Sequence, residues 1–259
     1  MFIEFLLLPS WLGSIIAMLA AIILGVGPYV LVRAVLSRDP PDVTQAVAGT
    51  VAFRVGAVHA LILALVFAEA HQNHADLREE VSKEITAIEH ISQNLKRWGG
   101  PETQRPRELL DAYVTGVIDY EWDDSARPAG DRQTRQVLND LDLSLLDLKG
   151  ANQRQEALRT RMLEDVRALE DHRKIRLSLT HRSVPGLFWW VALIGFAITV
   201  ALFFVFPATL LHVLMLAAYS AYTGLVLYFV LALSHPFLGP AAINEEPYML
   251  VLQTEVRGE

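Results

Sequence analysis

Apolar residues in this chain gather into four long runs, two before and two after a polar middle. The runs cover residues 11–36, 44–70, 185–206 and 208–234. At about 1.5 Å of rise per helical residue, each reaches across a hydrocarbon core of about 30 Å, and each is nearly free of charge. The pattern therefore predicts an integral membrane protein with two transmembrane helices within 11–70 and a transmembrane hairpin within 185–234. Residues 71–183 are too charged to enter lipid and are expected to form a water-facing domain, with 235–259 as a C-terminal tail.

Inside the polar middle the apolar positions recur at three- and four-residue steps, the signature of amphipathic helices. Leu77, Val81, Ile85, Ile88, Ile91 (or Ser92) and Leu95 extend the second membrane helix into a long rod that stops at Gly99-Gly100-Pro101. A second helix over about 106–122 carries Leu109, Leu110, Tyr113, Val117 and Ile118, and Arg127-Pro128-Ala129-Gly130 breaks it. A third is expected at 132–148, stopped by Gly150, and a fourth at 152–180 with Leu158, Met162, Val166 and Leu169 on one face. No strand alternation competes. The fold class is all-α, with a cytoplasmic helical bundle inserted between membrane helices 2 and 3.

Composition sharpens the division, since 53% of residues are hydrophobic, mean hydropathy is +0.31, and most of the charge behind the net −7 lies in the middle. Lys and Arg alternate there with Asp and Glu on solvated helix faces, so nucleic acid is not an expected partner. With no cysteine the chain has neither disulfide nor thiolate metal site. The first residues lack the basic region and cleavage site of a signal peptide, so the first apolar run is expected to persist as a helix.

Orientation follows from basic residues next to the spans. Arg33 and Arg38 sit between helices 1 and 2, against Arg78, Lys83, Arg173, Lys174, Arg176 and Arg182 in the middle. The middle domain and both termini are thus expected in the cytoplasm, in a multi-pass protein of a bacterial inner membrane. Phe206-Pro207-Ala208 is a turn short enough to make helices 3 and 4 an antiparallel hairpin, and Trp189-Trp190 suits an interfacial aromatic belt. Gly25-Val26-Gly27-Pro28 is expected to bend or thin helix 1.

Polar residues at membrane depth are the candidates for chemistry, because a charge there costs several kcal/mol unless paired or hydrated. At about 100° per residue, Arg54, Val58, Leu61, Leu65, Glu69, Gln72 and Asp76 fall on one stripe of helix 2. Leu63 lies off that stripe and is expected to face outward. Around a symmetry axis the stripe would line a pore, with Val58, Leu61 and Leu65 as a hydrophobic constriction and Glu69 and Asp76 at an acidic mouth. The alternative is ordinary snorkelling, since Arg54 and Glu69, about 22 Å apart by helical rise, each sit near an interface. Glu69, His71 and His74 do not share one face, so no metal is expected. His59 and His212 would matter only in a common pocket. The polarity of helix 4, from His212 through Tyr219, Ser220, Tyr222, Thr223 and Tyr228, reads as interhelical hydrogen bonding. No phosphate loop, nucleophile elbow or dinucleotide fingerprint is present, so neither an enzyme nor a cofactor is expected.

The order of features resembles a bestrophin-like family of bacterial membrane proteins of unknown function. The likeness rests on the two-plus-two membrane helices around a helical insert, on Glu84, on Tyr113 followed by Glu121-Trp122, and on His235-Pro236-Phe237-Leu238-Gly239 with Glu246-Pro247-Tyr248 after it. It implies structural roles for Glu84, Tyr113, Glu121, Trp122, Pro236, Phe237 and Gly239. It also implies, by analogy with bestrophins, a pentameric ion channel whose second helix lines the neck. This stripe is aliphatic where bestrophin necks are aromatic, and no acidic calcium clasp is found, so calcium activation is not carried over. The expected function is a homo-oligomeric ion channel surrounded by lipid, leaning toward cations because of its acidic mouth. A membrane-anchored scaffold whose cytoplasmic helices bind a partner protein is the alternative.

Overall fold

The computed structural model describes residues 4–35, 41–122, 130–180, 182 and 184–257, and among these every regular element is helical. The elements are α1 (Ser10–Val35), α2 (Asp42–Trp98), α3 (Gln104–Tyr120), α4 (Arg132–Leu146), α5 (Gln153–Thr180), α6 (Gly186–Phe203), α7 (Leu210–Leu233) and α8 (Glu246–Val251). Four of them, α1, α2, α6 and α7, are long and apolar enough to cross a membrane. The chain divides into two compact units, Met1–Gln72 with Ser183–Ala242, and Asn73–Arg182 with Ile243–Glu259. Arg38 and residues 127–129, to which the orientation and helix-break readings pointed, lie outside the described residues.

In the first unit, small residues let α1 and α7 pack with their backbones close. A Cβ on Gly224 would stand 2.6 Å from the Ala17 carbonyl oxygen, and one on Gly13 would strike the Tyr228 ring. Gly25, expected to weaken α1, instead makes room for the Ser220 side chain, and α1 continues helically through Pro28 to Val35. The buried Tyr29 donates its hydroxyl to the Pro207 carbonyl (2.9 Å), tying α1 to the short turn between α6 and α7. Thr209 caps α7, its side chain accepting from the His212 amide.

In the second unit, the polar stretch of α2 packs against α3, α4, α5 and α8 around one core. Ile88, Ile91, Leu95, Tyr113, Val117, Leu141, Leu145, Met162 and Leu169 are all fully enclosed there. Burying each such side chain contributes about 1.5–3 kcal/mol. Positive φ at Gly99 and Gly100 ends α2. Asp131 starts α4 by accepting the Thr134 amide (2.8 Å) on Oδ2. Between Val81 and Ile88 it is Glu84, with no exposed surface, that faces inward; Ile85 is only partly covered. The spacing 77–81–84–88–91–95 follows the 3.6-residue period more closely than the predicted run through Ile85.

The tail is structured. Tyr248 and Val251 of α8 enter the core, and α8 passes into a wider π-helical turn over Leu252–Arg257. Two hydrogen bonds hold the second half of that turn. The Ser92 hydroxyl donates to the Glu255 carbonyl (2.6 Å), and Arg257 Nε donates to Asp111 Oδ1 (2.6 Å).

Candidate functional site

Most of the predicted stripe of α2 is exposed. Arg54, Val58, Leu61, Leu65, Glu69 and Gln72 are all exposed, the three aliphatic residues by about 60%, and Asp76 is half-buried. His59, Leu63, Val66 and Ala70 point the other way and are covered by the rest of the first unit. Leu63, expected to face outward, is 4% exposed, because the positions 59, 63, 66 and 70 complete the buried stripe of the same helix.

The first unit holds His59 at the crossing of three helices. A carbonyl can only accept, so the contact of Nε2 with Ala192 O (3.0 Å) places the ring proton there. Nδ1 then accepts from the Tyr219 hydroxyl (2.6 Å). Gly195 leaves the space the imidazole occupies, since a Cβ there would stand 2.5 Å from His59 Cδ2. Phe196 stacks on Tyr219 with ring centroids 6.0 Å apart, and the Thr199 and Thr223 side chains border that hydroxyl. The imidazole thus makes an interhelical hydrogen bond with Tyr219, one of the polar residues of α7, whereas His212 bonds locally to the Pro207 carbonyl.

Beside this crossing lies a groove of about 880 Å³ between α2 and α7, with the end of α6 as its floor. His59, Tyr219, Tyr222 and Thr223 are in its wall, His212 is near one end, and among the described residues no charged one lines it. Glu69 is not part of it. Among the described residues no group of three or more His, Asp or Glu side chains is placed to hold a metal ion.

The second unit encloses a charge cluster. Glu84 Oε1 accepts the Tyr113 hydroxyl (2.6 Å) and Oε2 accepts Arg176 Nε (2.7 Å). Glu121 accepts the Asp131 amide (2.8 Å), Arg176 Nη2 (3.0 Å) and Arg173 through both Nε and Nη2. Two carboxylates and two guanidiniums balance, which is what allows four ionised groups to sit out of water. The Arg176 guanidinium also lies over the Trp122 and Tyr248 rings, 5.8 and 6.0 Å from their centroids. Burial, then the neighbouring Glu84 carboxylate, raises the Tyr113 hydroxyl well above its ordinary 10.0, and burial does the same to Tyr248. Desolvation works against the Arg176 charge, but Glu84 together with Tyr248 and Tyr113 outweighs it and keeps the guanidinium protonated. Gly130, at φ +68°, passes so close that a Cβ would meet Glu121 Oε1 at 2.6 Å.

A family model described as Bestrophin-like domain matches residues 19–248. The chain belongs to the bestrophin-like family. No curated protein and no solved structure matches it significantly.

In this bestrophin-like chain the motif residues fall into two groups. Glu84, Tyr113, Glu121 and Trp122 meet in the cluster of the second unit, where the Trp122 indole N–H donates to the Ile243 carbonyl (3.1 Å). Pro236, Phe237 and Gly239 follow α7 in the first unit: Pro236 is buried, and Gly239 at φ +80° lies against the Leu6 carbonyl. The partners of the buried carboxylates, Arg173 and Arg176, were not singled out from the sequence as core residues. A signal for them exists, since both continue the inward stripe of Met162, Val166 and Leu169 at three- and four-residue steps. The contribution of Tyr248 to the same cluster has no such signal, because α8 is too short to show a period.

Proposed function

We propose that the protein is a homo-oligomeric ion channel, a transport protein and not an enzyme, with the exposed face of α2 lining the pore. One observation carries the reading. On a helix apolar enough to span a membrane, Arg54, Val58, Leu61, Leu65 and Glu69 share an uncovered face, opposite the face the first unit buries. Charges at membrane depth are tolerated where they face water. A shared axis supplies that water at Arg54 and Glu69 and brings the three aliphatic side chains into a ring that gates by dewetting. Membership of the bestrophin-like family supports the same conclusion, and the resemblance to bestrophins implies five subunits.

In this reading the second unit is cytoplasmic, because the basic residues flanking the spans concentrate in it, and the membrane is a bacterial inner membrane. Glu69 and Asp76 then stand at the cytoplasmic mouth, where a ring of carboxylates attracts cations and repels anions. Native mass spectrometry of the full chain in mild detergent tests the assembly. A dominant multimer is expected; a dominant monomer contradicts the pore. Replacing Glu69→Gln in reconstituted bilayers should move the reversal potential in a salt gradient toward the anion value, and an unchanged potential removes Glu69 from the pathway.

A further inference from the structure

The groove of the first unit and the outer edge of α6 lie to different sides of α2. Gly56, Ala60 and Ala64 form the α2 wall of the groove, a strip of small residues that lets another helix approach closely. By helical geometry this strip lies about 140° around α2 from the Val58–Leu61–Leu65 face. About 100° the other way, Ile62 and Val66 pack against Phe188 and Trp189 at the start of α6.

On α6 itself, Phe196 and Val200 turn toward Tyr219 and Leu216 of α7. Leu187, Trp190, Ile194 and Ile198 form a different ridge, exposed by 73, 67, 53 and 46%. At about 100° per residue that ridge points nearly opposite to the α7-facing side. One edge of the unit is therefore a hollow whose α2 wall carries a strip of small residues among larger apolar ones, and the other is a row of large apolar ones.

We propose that the α6 ridge of one copy fills the α2–α7 groove of the next, so that the interface between subunits is ridge into groove. This rests on the axis-lining role proposed for α2. If α2 faces the axis, rotation about that axis carries the α6 edge of each copy against the groove edge of its neighbour, a head-to-tail contact that closes into a ring. The same rotation preserves depth in the membrane. His59 bonds the Ala192 carbonyl and lies against Gly195, so residues 59–60 are level with 192–195, and the neighbour's Ile194 arrives at the depth of Ala60. Val66 and Ala70 share a cluster with Val184 and Phe188, so α6 runs antiparallel to α2, which pairs Gly56 with Ile198 and Ala64 with Trp190. Among the described residues none that lines the groove is charged, which suits a ridge of Leu, Trp and Ile.

The absence of native cysteine makes the test direct. Full-length protein carrying both Ala60→Cys and Ile194→Cys is oxidised in native membranes, with each single variant as control. The expected result is a ladder of covalent multimers from the double variant, its top rung giving the subunit number, and no ladder from either single variant. Gly56→Cys with Ile198→Cys, one turn along, is the second pair should the first not assemble. A parallel Leu61→Cys variant reports on the axis, where it should form covalent dimers. Dimers from Leu61→Cys without a ladder from either pair overturn the interface and leave the axis intact. No product from any variant overturns both. Dimers from Ala60→Cys alone mean a two-fold groove-to-groove contact, and labelling of Ala60→Cys in the assembled protein by a lipid-soluble maleimide means a lipid-filled groove; either result overturns the proposal.

Discussion

Tyr113 and Glu84, on different helices and both without exposed surface, share a 2.6 Å hydrogen bond beside the Arg176 guanidinium. The two residues are not equivalent in what their loss leaves behind. Glu84→Ala strips a buried cation of its principal counter-charge and should destabilise by about 3–5 kcal/mol. Tyr113→Phe removes one hydrogen bond to a charged acceptor that keeps its Arg176 partner, at about 1–3 kcal/mol. Denaturant unfolding of the full-length variants measures the difference. Equal losses would show that the carboxylate does not hold Arg176 in the folded state.

Asp131 supplies a pH dependence with a definite sign. The Thr134 amide, as the strongest influence, holds its carboxylate below the ordinary 3.8. A carboxylate lowered on folding contributes stability above the unfolded value, and that contribution is lost as pH falls through the folded one. Asp131→Ala should cost about 1 kcal/mol at neutral pH through loss of the cap. Asp131→Asn keeps a capping side chain and should lose less. Both variants should show a shallower fall in stability than the parent as pH drops below about 4. Melting temperatures across pH 3–7 test this; parallel curves for parent and variants would refute it.

The seam between α1 and α7 should tolerate no side chain at position 224. Gly224→Val would push against the Ala17 backbone, which cannot move aside as a flexible side chain can. Overpacking of this kind costs about 1–3 kcal/mol. Gly27, with nothing within 4 Å of its Cβ position, is the comparison, and Gly27→Ala should be neutral or stabilising. A thermal shift assay in detergent that ranks the two variants in the opposite order would contradict the packing described.

Much of the architecture was legible because membrane runs and 3.6-residue periods are long-range, redundant signals. The ends of α2, α4 and α5 lie within a few residues of the apolar pattern and its glycine stops. Glu84 was given a structural role by the family resemblance, yet its partner was invisible, because Arg176 lies 92 positions away on another helix. Leu63 was misplaced because excluding a residue from one stripe does not say which of the remaining directions it takes. The tail was read only as a C-terminal tail, since six residues of α8 give no period and their burial depends on a core built by α2, α3 and α5. His59 was noticed as polar at membrane depth, but its carbonyl partner belongs to the backbone of α6, which no side-chain pattern reveals.

In the channel proposed, the exposed face of α2 bounds a water-filled path whose narrowest part is apolar. Replacing an apolar neck residue with a small polar one should hydrate it and raise conduction. The decisive measurement is ion flux through liposomes reconstituted with Leu61→Ser or Leu65→Ser, compared with the parent and with Leu24→Ser, an exposed position on α1. Flux well above the parent is expected for both neck variants, and parental flux for Leu24→Ser. Flux indistinguishable from empty liposomes for parent and neck variants alike would contradict it.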